Sequence, residues 1–128
     1  MLCWRRSYPS RTVIALLALA ASCAAVKSPS AQVGKCLDGQ VSYYHDALAG
    51  RPTANGETYQ PDELTAAHQT LPFGSRLEVT WKDRSVIVRI NDRGPDAPGA
   101  ILDLSKAAAA KLGMLTAGRV RARACVLD

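Results

Sequence analysis

LEVTWKDRSVIVRINDRGP, residues 77–95, contains two strand patterns separated by a possible turn. Apolar and polar residues alternate over residues 77–81, residues 82–84 can turn, and the apolar run at residues 86–90 returns. Alternation with a period of two is typical of strands that have one buried face, so this stretch predicts a β-hairpin. An isolated hairpin is marginally stable in water, so other strands must pair with it.

Two further strands are predicted near the ends of the domain. Residues 40–44 form the first, and the second contains Arg119, Arg121 and Arg123, which alternate with small apolar residues. Residues two apart on a strand share a face, so the three arginines lie together. We interpret this face as solvated, with a groove for an anionic polymer as the alternative.

Two short helices are predicted between the strands. Residues 62–67 follow Pro61, which suits the first turn of a helix. In residues 105–112, Ser105 can cap a run of alanines, and Gly113 can supply the left-handed residue that ends it. Many short strands with few helices predict a mainly β fold, a closed or nearly closed barrel without exposed sheet edges.

The N-terminus is typical of an export signal. Three arginines precede an apolar run at residues 13–21, which is shorter than the ~20 residues of a membrane-spanning helix. Residues 20–23, AASC, resemble the bacterial lipobox, in which the cysteine is acylated, although Leu19 stands four positions before Cys23 and the box prefers three. Cleavage after Ala24 or Ala31 is the alternative.

The chain therefore divides into a signal at residues 1–23, a tether at 24–34 and one domain at 35–128. We expect an exported protein, either periplasmic or anchored at the cell envelope through a lipid on Cys23. Removal of the signal arginines lowers the formal net charge from +5 to +2. A nucleic-acid-binding protein carries a basic patch on its folded part, so we predict no nucleic-acid partner.

The cysteines predict a disulfide. Cys125 is in phase with the arginines of the last strand and should point away from the core, where a free thiol is liable to oxidation in an exported protein. If Cys3 is removed and Cys23 is lipidated, Cys36 is the partner that remains. A metal site is the poorer interpretation, because the sequence has no Cys-x-x-Cys motif and its two histidines are far apart.

Glu57, His68 and Asp92 are the candidates for chemistry. They lie in three polar segments, TANGE at residues 53–57, TAAH at 65–68 and NDRGP at 91–95. Two acids and an imidazole on short segments suit proton transfer.

Along the chain these segments occur in a fixed order with three others, LPFG at residues 71–74, VIVRI at 86–90 and ILDLS at 101–105. In this order, over essentially the whole mature domain, they resemble the rare lipoprotein A family. The resemblance implies a six-stranded double-psi β-barrel. It also implies an endolytic peptidoglycan lytic transglycosylase that acts on glycan strands without a cofactor.

Such an enzyme cleaves the bond between N-acetylmuramic acid and N-acetylglucosamine and leaves a 1,6-anhydro end, so one proton donor suffices. We predict Asp92 as this acid, with Glu57 as a neighbouring carboxylate that raises its pKa. His68 would orient the acid or hydrogen-bond the sugar. Asp103 is the second choice for the acid, since it resembles the essential aspartate of expansins, or else it anchors the second helix.

Arg93, Asn55 and Thr53 are predicted substrate-binding residues, because they can hydrogen-bond hydroxyl or acetamido groups, and Asp103 is predicted to bind substrate with them. The sequence departs from the family where Tyr43-Tyr44-His45 replaces Trp-Tyr-Gly, which weakens the expected substrate contacts. A non-catalytic, expansin-like module that binds or loosens the wall is the alternative function. A secreted protease inhibitor or plant-defence-like barrel protein is a third and poorer fit, because the bacterial signal and the set of acids and imidazole suit it poorly.

Overall fold

The computed structural model describes residues 32–128. The predicted signal at residues 1–23, the lipidation candidate Cys23 and most of the predicted tether lie outside the described residues. No helix among residues 32–128 is long and apolar enough to cross a membrane.

Six strands form a closed barrel. They are β1 (Cys36–Tyr43), β2 (Thr65–Ala67), β3 (Arg76–Trp81), β4 (Arg84–Asp92), β5 (Ala100–Leu104) and β6 (Val120–Val126). Their order around the barrel is β1-β5-β2-β4-β3-β6. The β1/β5 and β2/β4 pairs are parallel and the other four pairs are antiparallel. The predicted mainly β, six-stranded barrel is confirmed.

The core fills the barrel and the space beneath α1 (Lys106–Leu112). On β6, the apolar residues at 120, 122, 124 and 126 are buried while Arg121 and Arg123 point outward, as the alternation predicts. Arg119 lies just before the strand and is also exposed. Gly39 of β1 permits a close approach of β5, since a Cβ at this position would lie 2.6 Å from Ile101 Cγ2.

The helix predicted at residues 105–112 is confirmed. The Ser105 side chain accepts a hydrogen bond from the backbone N–H of Ala108, and Gly113 ends the helix with φ of 75°. Ser105, rather than Asp103, is therefore the residue that anchors this helix.

The helix predicted at residues 62–67 is wrong. Residues 65–67 form β2, which is buried on both faces and pairs with β4 on one side and β5 on the other. A segment buried on both sides lacks the alternation that marks a strand, so its sequence pattern cannot be told from a short helix. The second helical segment is instead a 3-10 turn at Asp46–Leu48.

Cys36 and Cys125 form a disulfide, the pairing that the sequence predicts. The two residues lie opposite each other on the antiparallel strands β1 and β6. Their bridge therefore joins the first and last strands of the barrel.

Candidate active site

An open groove of about 660 Å³ lies at one end of the barrel. Its walls come from the end of β1, the loop that follows β4, the strand β5 and the loop before β6. A smaller cavity of about 100 Å³ adjoins it, because Tyr44 and Leu48 line both. The two cavities together form the candidate site.

Asp103 lies in the groove on β5. It faces Ser42 in the parallel β1/β5 register, and the Ser42 hydroxyl donates a hydrogen bond to Asp103 Oδ1. This is the one hydrogen bond that its carboxyl receives from the described side chains. Asp103 therefore presents a half-buried carboxyl to the open groove.

Asp92 ends β4 and lines the smaller cavity. Its Oδ1 accepts hydrogen bonds from the backbone N–H of Ala54 at 2.9 Å and of Arg93 at 2.8 Å, and its Oδ2 accepts one from the Tyr44 hydroxyl at 2.6 Å. Each oxygen of this carboxyl therefore accepts at least one hydrogen bond.

The two aspartates are close neighbours in the sheet. Asp92 of β4 and Asp103 of β5 are both in register with Ala67 of the intervening strand β2. Since strands are spaced by about 4.8 Å, their backbones lie roughly 10 Å apart along the sheet. The pairing of β2 with β4 on one side and β5 on the other therefore places two aspartates from separate sequence motifs at the same level of the barrel.

Tyr44 is the functional residue that sequence reasoning missed. Its hydroxyl contacts Asp92, its ring packs edge-on against Tyr59 with centroids 4.7 Å apart, and it lines both cavities. Burial raises the pKa of Tyr44, and so do the hydrogen bond to Asp92 and the negative charges of Asp92 and Asp103. The phenol therefore stays protonated and acts as a donor. The sequence feature that could have indicated Tyr44 is its place in the Tyr43-Tyr44-His45 cluster.

Glu57 makes an ion pair instead of contacting Asp92. Arg89 donates to its two oxygens at 2.8 and 3.1 Å, and Asn55 Nδ2 donates at 3.0 Å. These hydrogen bonds, first from Arg89 and then from Asn55, lower the pKa of Glu57 to about 2. Glu57 thus stays ionised, and none of its hydrogen bonds reaches the groove aspartates.

His68 supports the loop that follows it. Its Nδ1 accepts hydrogen bonds from the backbone N–H groups of Thr70 at 3.1 Å and Leu71 at 3.0 Å. Burial, and then the positive charge of Arg93, lower the pKa of His68, so the ring is neutral. The ring lines a separate cavity of about 90 Å³, while its backbone N–H donates to the Asp92 carbonyl oxygen at 3.2 Å.

Thr53 and Asn55 hold the loop that carries Ala54. The Thr53 hydroxyl donates to Asn55 Oδ1 at 2.6 Å, and Asn55 Oδ1 also accepts from the Glu57 backbone N–H at 3.0 Å. Thr53 lines the smaller cavity and Asn55 does not. Among the predicted substrate-binding residues, Arg93 and Asp103 are those that line the main groove.

No group of three or more His, Cys, Asp or Glu residues among residues 32–128 is placed to hold a metal ion. The two cavities of the site together offer two carboxyl groups, a phenol and two arginines that form no ion pair among residues 32–128. A closed six-stranded barrel of this topology with such a groove defines a double-psi β-barrel domain.

Comparisons with known proteins identify the family. The model of the family described as "Lytic transglycolase" matches residues 37–124. A protein named "Probable endolytic peptidoglycan transglycosylase RlpA" from Nostoc sp. is 52% identical over 93 residues, which cover 70% of this chain and 25% of that protein. The "Endolytic peptidoglycan transglycosylase RlpA" of Campylobacter jejuni is 46% identical over 93 residues, 71% of this chain and 34% of that protein. The chain belongs to this lytic transglycolase family, the rare lipoprotein A family that its motifs resemble.

The chain spans about a quarter to a third of the length of these relatives. Among solved structures, the "Streptomyces papain inhibitor" is similar with a TM-score of 0.64 and 24% identity, over 75% of this chain and 97% of that one. An expansin of Clavibacter michiganensis gives a TM-score of 0.61 and 21% identity, over 73% of this chain and 50% of that one. At these identities the likeness shows the shared barrel fold.

Proposed function

We propose that this protein is an endolytic peptidoglycan lytic transglycosylase that cleaves the bond between N-acetylmuramic acid and N-acetylglucosamine. The observation that carries the proposal is the pair of aspartates in the two adjoining cavities, with Asp103 in the main groove and Asp92 bonded to Tyr44 in the smaller cavity. The names of the relatives support the same activity. An open groove suits a polymer that binds along its length, as cleavage within a strand requires.

The reaction needs one group that donates and then accepts a proton. The carboxylic acid gives its proton to the glycosidic oxygen as the bond to the muramyl anomeric carbon breaks. The muramyl 6-hydroxyl then attacks that carbon and returns its proton to the carboxylate, so a 1,6-anhydro ring forms without water.

The geometry favours Asp103 as this group, with Asp92 as the alternative. Asp103 lies in the main groove and receives one hydrogen bond, whereas both oxygens of Asp92 are engaged by donors. We assign Asp92 the role of holding Tyr44, whose phenol oxygen can accept a hydrogen bond from a substrate hydroxyl beside the acid. Glu57 and His68 support this arrangement through the loops that they fix.

Product analysis tests the activity and the assignment together. The exported chain is incubated with purified glycan strands, and the 1,6-anhydromuramyl ends are counted by mass spectrometry. General acid–base catalysis contributes roughly 10²–10⁴-fold, so Asp103→Asn should lower the rate by at least about 100-fold. Asp38→Asn is the matched control, because Asp38 is exposed on β1 and does not line the groove.

The outcomes separate the alternatives. If Asp92→Asn abolishes the anhydro ends while Asp103→Asn leaves them unchanged, Asp92 is the acid. If the wild-type protein binds glycan strands and releases no anhydro ends, the protein is instead a non-catalytic, expansin-like module.

We also propose that the protein is exported and acts at the cell envelope, because peptidoglycan lies outside the cytoplasm and residues 1–23 carry the pattern of a signal. A lipid on Cys23 would anchor it to a membrane. Palmitate labelling of the wild type that is lost in Cys23→Ala would support the anchor, and a soluble unlabelled wild type would refute it.

A further inference from the structure

Two arginines line the groove without a carboxylate partner. Arg93 and Arg119 are both exposed, and neither forms an ion pair with any residue of the described domain. The other charged residues of the groove are Asp96 and Asp103. The residues that line the groove therefore include two aspartates and two arginines, and neither arginine forms an ion pair among residues 32–128.

The strand order places these arginines on opposite sides of Asp103. Arg93 follows β4 directly, Arg119 directly precedes β6, and β5 with Asp103 lies two strands from each. At about 4.8 Å per strand, each arginine begins roughly 10 Å from Asp103 along the sheet. A glycan strand in the groove would pass one arginine on each side of the bond that is cleaved.

The Arg93 guanidinium is already oriented. It stacks on the Phe73 ring at 3.9 Å from the ring centroid, and its Nη1 donates to the His68 carbonyl oxygen at 3.1 Å. These contacts fix the plane of the group and leave other N–H donors free. A planar guanidinium matches a carboxylate with two parallel hydrogen bonds, which a hydroxyl or acetamido group cannot accept in the same way.

We propose that Arg119 and Arg93 bind carboxylates of the substrate strand and so select muramyl glycan over neutral polysaccharide. This inference rests on the proposed function, because it names the substrate feature that the same groove recognises. Each muramyl residue carries a lactyl carboxyl that is either free or linked to a peptide, and the peptide bears carboxylates of its own. Chitin oligosaccharides have the same acetamido groups and no carboxylate.

Binding measurements on chemically matched strands test the proposal. Purified glycan strands without peptides are used with free carboxyl groups or after conversion of these groups to methylamides, and dissociation constants are measured by calorimetry. Arg119→Gln should weaken binding to the free-carboxyl strands about tenfold, which corresponds to ~1.4 kcal/mol, and leave binding to the methylamide strands unchanged. The loss should shrink as salt rises, because exposed charges are screened.

Arg121→Gln is the matched control. It removes the same charge from the exposed face of β6, outside the groove, and should leave both dissociation constants unchanged. Arg93→Gln is compared with Arg93→Lys, which keeps the charge and loses the paired hydrogen bonds. Urea denaturation shows whether either change disturbs the contacts to Phe73 and His68.

A third substrate, strands that retain their peptides, distinguishes the two sources of carboxylate. Dependence on Arg119 with peptide-free strands assigns the lactyl carboxylate, and dependence confined to peptide-bearing strands assigns the peptide carboxylates. Equal loss on free and methylamide strands, or no loss on any strand, overturns the proposal. Binding needs no cleavage, so a protein that selects carboxylates and forms no anhydro ends would refute the proposed function alone.

Discussion

Replacement of Tyr44 by Phe removes the hydroxyl of a residue that lines both cavities of the site. This hydroxyl donates to Asp92 at 2.6 Å from a half-buried position. A hydrogen bond to a charged group contributes about 1.5–3 kcal/mol. Asp92 keeps the backbone donors of Ala54 and Arg93. We therefore expect Tyr44→Phe to lower the free energy of unfolding by about 1.5 kcal/mol, the low end of this range.

Tyr43→Phe is the matched control. The Tyr43 hydroxyl donates to the neutral backbone oxygen of Leu115 at 2.8 Å, so its loss should cost about 1 kcal/mol, the mean for a neutral hydrogen bond. Urea denaturation followed by circular dichroism measures both changes. The same variants are assayed for anhydromuramyl ends, and we expect Tyr44→Phe alone to lower the rate.

A double-mutant cycle shows whether Tyr44 acts through Asp92. If the hydrogen bond is the cause, Tyr44→Phe should cost much less in an Asp92→Ala background, with a coupling energy above about 0.5 kcal/mol. Equal costs in both backgrounds, together with an unchanged rate, would refute the role assigned to this pair.

Two other predictions concern stability. Cys36 and Cys125 are 89 positions apart, so replacing both with Ala should lower the free energy of unfolding by up to about 4.5 kcal/mol in the loop-entropy model. Urea denaturation measures this change, and a loss below about 1 kcal/mol would contradict the prediction. The pKa of His68 is lowered in the folded state, so the unfolded chain binds a proton at higher pH than the folded protein does. The stability that the neutral ring provides is therefore present above pH 6.5 and is lost as the pH falls through the folded pKa. The unfolding free energy of the wild type should decline over this window more steeply than that of His68→Gln, and parallel curves would show that His68 contributes nothing.

Local patterns in the sequence predicted most of the barrel. The hairpin of β3 and β4, the outward arginines of β6 and the caps of α1 at Ser105 and Gly113 depend on neighbours along the chain, which the sequence displays. The strand β2 was mistaken for a helix, because pairing with two distant strands decides its conformation.

The candidate site was predicted in part. The sequence named Asp92 and Asp103 as candidates for the acid, and they lie at the end of β4 and in the groove. The roles expected of Glu57 and His68 depended on contacts that sequence cannot show, and their partners turned out to be Arg89 and the backbone of the following loop. The sequence did not indicate a role for Tyr44, because a tyrosine near the end of a strand usually packs against the core.

The linear sequence was enough to predict β1, β3, β4 and β6, the helix caps and the family, since alternation, capping residues and ordered motifs are properties of the linear chain. Only the tertiary structure decided which of these residues share a groove. Ser42 and Asp103 are 61 positions apart, and Tyr44 and Asp92 are 48 apart. Closure of the barrel brings them into contact, because hydrogen bonding between distant strands fixes the register at which their side chains meet.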